Sequence, residues 1–351
     1  MSSAFEKAVF ERSLPDLTIG VRDGNIMYTR PEQLLNRRRC RCYDIHTPGY
    51  GTYLFKYLKC RLQQSLHPAG RRIVAKARNF NSRMQRKLDA KSFLAEVSYY
   101  FLRQGGGFEC GVACEAPIFK ITTLNTTWHS PNPVSDGYIG INNVDKEIYV
   151  SWAGTRRVRS MIIDSMAIFT EFPTDIRGSA VHAGFHDSTN AIYGYILKNI
   201  LAAATDYPDY NIVFLGHSLG GASAVISALK FVRDNEFIRD SVRVWTFGEP
   251  RVGNRRFSEY YTEMLGGQTY RITNQADIVP HVPPWQVLGY QHHPLEIHIL
   301  NKEGDVYVCQ NTVREDLDGA YRWPTIDSGV ADHVDYFGKP DITLFSPLIE
   351  W

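Results

Sequence analysis

The chain has 351 residues, of which 44% are hydrophobic, 22% charged and 13% aromatic. That is enough apolar material for one large α/β domain or two ordinary ones, and it excludes a disordered, collagen-like or low-complexity chain. The formal net charge of +2 conceals a split, because residues 1–90 carry 18 Lys and Arg against 7 Asp and Glu while the other 261 carry 21 against 30.

Met1 to Asp16 is broken by Glu6, Lys7, Glu11 and Arg12 and holds no apolar run, so no cleavable secretory leader is expected and an intracellular or lipid-surface location is weighed above secretion. The Arg37-Arg38-Arg39-Cys40-Arg41 cluster and the Gly/Pro-punctuated stretch from Pro48 to Gly51 mark residues 1–90 as a basic N-terminal extension, either pro-segment-like or an arm for a membrane surface. From Lys91 the spacing of Phe93, Leu94, Val97 and Tyr100 predicts a helix with one face on a core, and a domain running from 91 to 351. Cys110-x-x-x-Cys114 fits a small disulfide loop or two reduced thiols, and the six cysteines show no zinc spacing.

Strands are expected at Glu147 to Trp152, Ile212 to Leu215, Val242 to Phe247 and Tyr270 to Thr273, with helices at Asp187 to Ala204, Ala222 to Val232 and Arg255 to Leu265. The alternation predicts a mostly parallel sheet flanked by helices. The uncharged run Tyr210 to Leu229 is interrupted by Asn211, Gly216, His217, Ser218, Gly220 and Gly221, and reads as strand, turn and helix rather than as a membrane span.

That turn, Gly216-His217-Ser218-Leu219-Gly220, fits G-x-S-x-G with an apolar strand before it and the small residues Ala222-Ser223-Ala224 after it. In this context a serine is presented on a strained strand-to-helix turn as a nucleophile. A serine hydroxyl needs a base to take its proton and a carboxylate to orient that base. The order Ser, acid, His is that of the α/β-hydrolases, and Asp277, just past a predicted strand, is the candidate acid. Downstream stand His281, His292, His293, His298 and His333, among which the residues alone leave the base open.

The blocks Gly216 to Gly221, Asp277 to Pro284, Val181 to Phe185, Gly248 to Asn254, Gly289 to His292 and Asp332 to Phe337 together resemble, in the same order, the class 3 triacylglycerol lipases of fungi and yeasts. The resemblance covers about residues 91 to 338 and implies an α/β-hydrolase fold with Ser218 as nucleophile, Asp277 as acid and His333 as base. It also implies an oxyanion hole from Thr155 and the backbone N–H of Leu219, with Asp164 steadying the Thr155 hydroxyl. One departure is Ala153, where the family usually has Arg.

In that family a short amphipathic lid follows the oxyanion residue. Here Arg156 to Pro173 places Val158, Met161, Ile162, Met166 and Phe169 among charged residues, largely at helical spacing. The expected function is therefore a serine esterase acting on acyl glycerols at an oil–water or membrane surface, without cofactor or metal. A phospholipase, galactolipase or phenolic-acid esterase of the same fold, and a non-catalytic lipid-binding relative, are the alternatives. The basic extension brings no aromatic or zinc motif for nucleic acid, so none is expected as a partner, and oligomeric state is not legible.

Overall fold

In a computed structural model of the chain, the described residues are 82–97, 108, 114–129, 136–155, 168–285, 289–301, 305–309, 315–316, 319–323 and 329–336. The basic extension up to residue 81, most of the lid segment (156–167) with Asp164, and Cys110 lie outside them. Cys114 is disulfide-bonded, and among the described residues Cys309 is a free, buried thiol.

The helix expected from Lys91 begins earlier, as α1 at Ser82–Val97. The short helix α2 (Pro117–Lys120) leads into β1 (Thr122–Trp128), β2 (Gly137–Asn142) and β3 (Glu147–Trp152). Next come β4 (Phe169–Glu171), β5 (Ala180–His182), α3 (Ala183–Asp206), β6 (Asn211–His217) and α4 (Leu219–Asp234). β7 (Val242–Phe247), β8 (Gly253–Asn254), α5 (Arg255–Leu265) and β9 (Thr269–Asn274) follow, then β10 (Tyr290–Gln291), β11 (Glu296–Ile299) and β12 (Val306–Val308).

Eight strands form one sheet in the order β1-β2-β3-β6-β7-β9-β11-β12, and four short ones form a second in the order β10-β8-β5-β4. The run β3-β6-β7-β9-β11 is parallel, with antiparallel strands at both edges. Parallel strands need helices on both faces, and strand alternation supplies the two faces. On β3, Ile148, Val150 and Trp152 join the main core with Ala222, Val225 and Ile226 of α4. The opposite residues meet α1: the Ser151 hydroxyl donates to the Leu94 carbonyl, and the Lys91 ammonium is bound by Glu147 and Tyr149.

The buried face of α1 includes Leu94 of the expected set and extends to polar positions, while the Val97 side chain and Tyr100 lie outside the described residues. Leu88, Lys91, Ser92, Leu94 and Ala95 are buried and Phe93 is only half-buried. Apolar spacing did not mark Lys91, because a lysine with a buried carboxylate partner can occupy a core position. Burial lowers the Lys91 pKa, against the pull of Glu147.

The segment expected to be a lid also ends differently. Its last part is not helical: Phe169 lies in β4 opposite His182, with its ring stacked on Tyr290 at 4.1 Å between centroids. The neighbouring Ile168 is 82% exposed.

Candidate active site

β6 delivers His217 and Ser218 to its carboxyl end, the edge at which open α/β sheets place ligands. Ser218 stands between β6 and α4 at φ 57° and ψ −130°, a backbone region that costs a side-chain-bearing residue about 1–3 kcal/mol and persists only when its surroundings enforce it. They do. A Cβ on Gly216 would lie 2.1 Å from the Gly220 carbonyl oxygen, and one on Gly220 would lie 2.2 Å from the Trp152 carbonyl oxygen, so both flanking glycines are required by close backbone packing. The Ser218 N–H donates to the Phe247 carbonyl at 2.8 Å, and the Gly221 N–H donates to the Ser218 carbonyl at 2.9 Å.

Asp277 follows β9 and is buried. Its Oδ2 accepts from His333 Nδ1 at 2.9 Å and from the Tyr336 hydroxyl at 2.7 Å, and its Oδ1 accepts from the Val279 N–H at 2.8 Å. Three hydrogen bonds on one carboxyl group hold it aimed at the His333 ring. The loop carrying His333 is stitched to the acid loop by Asn274, whose amide donates to the Asp332 and Asp335 carbonyls at 2.9 and 2.7 Å. A bridge between Asp277 and Gly329 joins the two loops further.

With hydrogen on His333 Nδ1, the lone pair sits on Nε2, which is buried and makes no hydrogen bond. The Ser218–His333 hydrogen bond is thus not formed in this structure, as is common before substrate binds. His217, beside the serine, nevertheless stacks on the His333 ring at 4.5 Å between centroids, and its Nε2 meets the His333 carbonyl oxygen at 2.9 Å. Burial first, then the electrostatic influence of the neighbouring His333 ring, push the His217 pKa well below its ordinary value. His217 is thereby kept neutral against the neighbouring ring.

The remaining histidines have other partners. His292 Nε2 meets the Pro280 carbonyl, His293 meets Glu249, and His298 meets Thr273. His281, four residues past the acid, is buried in a 3-10 turn, and its carbonyl is bound by Arg251. Among the described residues the Asp277 side chain takes a histidine hydrogen bond from His333.

Thr155 ends the stretch beyond β3, half-buried, and Leu219 opens α4. The Gly220 contact with the backbone of Trp152 and Ala153 brings the elbow against the end of β3, just before Thr155. Ala153 itself is buried, and its N–H donates to the Asp136 carbonyl at 2.9 Å. Asp164 falls outside the described residues. Sequence reasoning missed Tyr336, Asn274 and His217. The Tyr lay three residues past His333 in a block already singled out, but neither Asn274 nor His217 carries a pattern that marks its partner.

Several buried histidines here are neutral, which fixes a pH dependence of stability. Burial holds His182 and His298 at about 4 and pushes His217 and His292 well below the ordinary value. In the unfolded chain each would bind a proton below about pH 6.5. Their folded pKa values are depressed, so the stability they confer is complete above that pH and is withdrawn as the pH falls toward 4. Each contributes a slope of about 1.4 kcal/mol per pH unit in that window. Thermal melts should show the Tm falling between about pH 6.5 and 4.5, and a flat Tm over that interval would contradict the neutral, buried state of these rings.

The elbow at Ser218 on a mostly parallel, helix-flanked sheet, with an acid and a histidine arriving on later loops, defines an α/β-hydrolase. The chain belongs to the class 3 lipase family, which matches residues 149–287. It is 33% identical over 237 residues to a lipase of Rhizomucor miehei, covering 67% of this chain and 63% of that protein. The chain thus spans less than two thirds of that curated relative. Among solved structures, a lipase from Rhizopus microsporus var. chinensis is 30% identical with a TM-score of 0.67, over 74% of this chain and 88% of the other. A triacylglycerol lipase whose catalytic centre is described as a serine protease triad is 29% identical with a TM-score of 0.67, over 74% and 96%.

Proposed function

We propose that the protein is a serine hydrolase that cleaves carboxylic esters of acyl glycerols through an acyl-enzyme on Ser218. The observation that carries the reading is the buried Asp277–His333 hydrogen bond beside a serine held at positive φ. In the first half-reaction His333 Nε2 takes the Ser218 proton as Oγ bonds to the ester carbonyl carbon. The charge gathering on the carbonyl oxygen is met by the Thr155 hydroxyl and the Leu219 N–H, and loss of one such donor typically costs about 2.7 to 4 kcal/mol. His333 then returns the proton to the departing glycerol oxygen, and in the second half-reaction it activates water to release the fatty acid. Asp277 fixes which ring nitrogen of His333 carries hydrogen. Asp164 takes its place in this reading as the carboxylate that steadies the Thr155 hydroxyl.

The substrate class is that of the relatives named lipase, and the segment Arg156 to Pro173 provides its means of reaching a lipid surface. Met161, Ile162 and the exposed Ile168 supply apolar area, whose transfer from water favours an open state on oil by about 25 cal/mol per Å². The basic residues of the 1–90 extension extend the same reading to an anionic membrane face or to a pro-segment. Replacing Met161 and Ile162 together with Ser tests it. Hydrolysis of emulsified long-chain triacylglycerol should fall about five- to tenfold, while hydrolysis of a dissolved short-chain ester stays level or rises. Equal loss on both substrates would make the segment a structural element, and unchanged activity on both would favour an esterase for soluble substrates. A parallel screen on phospholipid and feruloyl ester, with Ser218→Ala as the blank, separates the other substrates of this fold.

A further inference from the structure

Beneath the site lies a buried acid–base pair that takes no part in the chemistry above. Glu249 and His293 are almost fully buried, and His293 Nε2 meets both carboxylate oxygens of Glu249, at 3.0 and 3.2 Å. The Thr246 hydroxyl donates to the same carboxylate at 2.6 Å. On the far side of the ring, His293 Nδ1 meets the Pro294 carbonyl oxygen at 3.2 Å. Both ring nitrogens of His293 thus face oxygen partners, the Glu249 carboxyl on one side and the Pro294 carbonyl on the other. The ring of Tyr261 packs against it at 4.7 Å between centroids, with its own hydroxyl paired to Thr269. A hydrogen-bonded cluster in such dry surroundings is held more firmly than one at the surface.

What the pair holds is the turn Phe247-Gly248-Glu249, and that turn touches all three proposed reacting residues. The Phe247 carbonyl accepts the Ser218 N–H. Gly248, at φ +59°, lies so close to the other two that a Cβ there would be 2.9 Å from Asp277 Oδ2 and 2.9 Å from His333 Nδ1. A Cβ on Gly221, in the first turn of α4 beyond the nucleophile, would lie 3.2 Å from the Glu249 Cβ and 3.3 Å from the Thr246 Cβ. The Gly248 N–H is tied to the Ile272 carbonyl of β9, the strand that leads to Asp277.

We propose that the Glu249–His293 pair, completed by Thr246, is the positioning device that fixes the Phe247–Glu249 turn and, through it, the mutual placement of Ser218, Asp277 and His333. The inference rests on the reading of those three as the reacting groups. Glu249 and His293 are positioning residues, since neither meets substrate. Misplacement of reacting groups by a fraction of an ångström lowers the rate of the chemical step with little effect on substrate binding.

The test uses the full-length protein with Glu249→Gln, His293→Gln and the double variant, assayed on a dissolved short-chain ester. Active sites are counted by fluorophosphonate labelling. Each single variant should lower kcat per labelled site by about 10- to 100-fold with KM within about twofold, and slow the labelling of Ser218 by a similar factor. The double variant restores a neutral, hydrogen-bonded amide pair and should regain about threefold or more of the lost kcat, the coupling expected of contacting residues. A purely structural role would lower Tm and the yield of labelled sites but leave kcat per site unchanged, and that result overturns the proposal. If the single variants do not fold, Thr246→Val removes one bond to the carboxylate while keeping the shape. It should still lower kcat per site about three- to tenfold, and an unchanged kcat per site overturns the proposal equally. Full hydrolysis by Ser218→Ala, or labelling at another residue, would instead sink the reading of the reacting groups.

Discussion

Ser218→Ala is expected to lose ester hydrolysis by at least about 10⁴-fold, leaving what binding and oxyanion stabilisation alone supply over water. Fold should be kept, because the hydroxyl is small and the backbone at φ 57° is enforced by the Gly216 and Gly220 contacts rather than by the side chain. A fluorophosphonate probe should mark Ser218 in the unaltered protein, located by mass spectrometry, and should leave the variant unmarked. Labelling at another serine, or hydrolysis by the variant at more than about 1% of the normal rate, would remove the covalent mechanism.

The second large effect separates two histidines. His333→Ala should cost about as much as loss of the serine, since nucleophile and base act as one unit and their losses do not add. His281→Ala should keep kcat within about threefold while lowering stability by about 1–3 kcal/mol, because it empties a packed position. The difference follows from partners: His333 Nδ1 donates to Asp277, whereas His281 is buried with its carbonyl on Arg251 and its Nε2 without a hydrogen bond. The reverse ranking of the two variants, in kcat per labelled site, would reassign the base. Asp277→Asn, which keeps the shape and loses the charge, should fall by about 10⁴-fold through the wrong histidine tautomer. Tyr336→Phe should cost much less, as Asp277 retains two of its three donors.

The chain's local signals place much of its architecture. Glu147–Trp152, Val242–Phe247 and Arg255–Leu265 are strands and a helix with the bounds expected of them, because their apolar and β-branched runs are long and end at turn residues. β1 and β2 carried no such signal. Thr122–Trp128 is a threonine-rich run with a bulge, and Gly137–Asn142 holds two glycines in six residues, so their pairing with β3, rather than their composition, makes them strands. Phe169 illustrates the same limit. Its spacing matches the apolar face of a helix, yet Tyr290, 121 positions away, stacks on it and His182 pairs with it in a sheet.

By itself the sequence determined the elbow, since G-x-S-x-G between an apolar strand and a small-residue helix encodes the local Gly216–Gly220 approach, although Gly220 also packs on the distant Trp152 carbonyl. It also named Asp277, and among five downstream histidines the residues alone left the partner open while the family resemblance pointed to His333. The contacts that set His333 against the acid belong to the tertiary structure, where Asn274 ties down the Asp332 and Asp335 carbonyls, Gly329 bridges to Asp277, and His333 Nδ1 lies 2.9 Å from the carboxylate. Only the fold, likewise, sets Glu249 against His293 and Lys91 against Glu147. A hydrogen bond of a few ångströms has no sequence signature when its partners are 44 or 56 residues apart. Its strength comes from burial, and burial is a property of the packed chain as a whole.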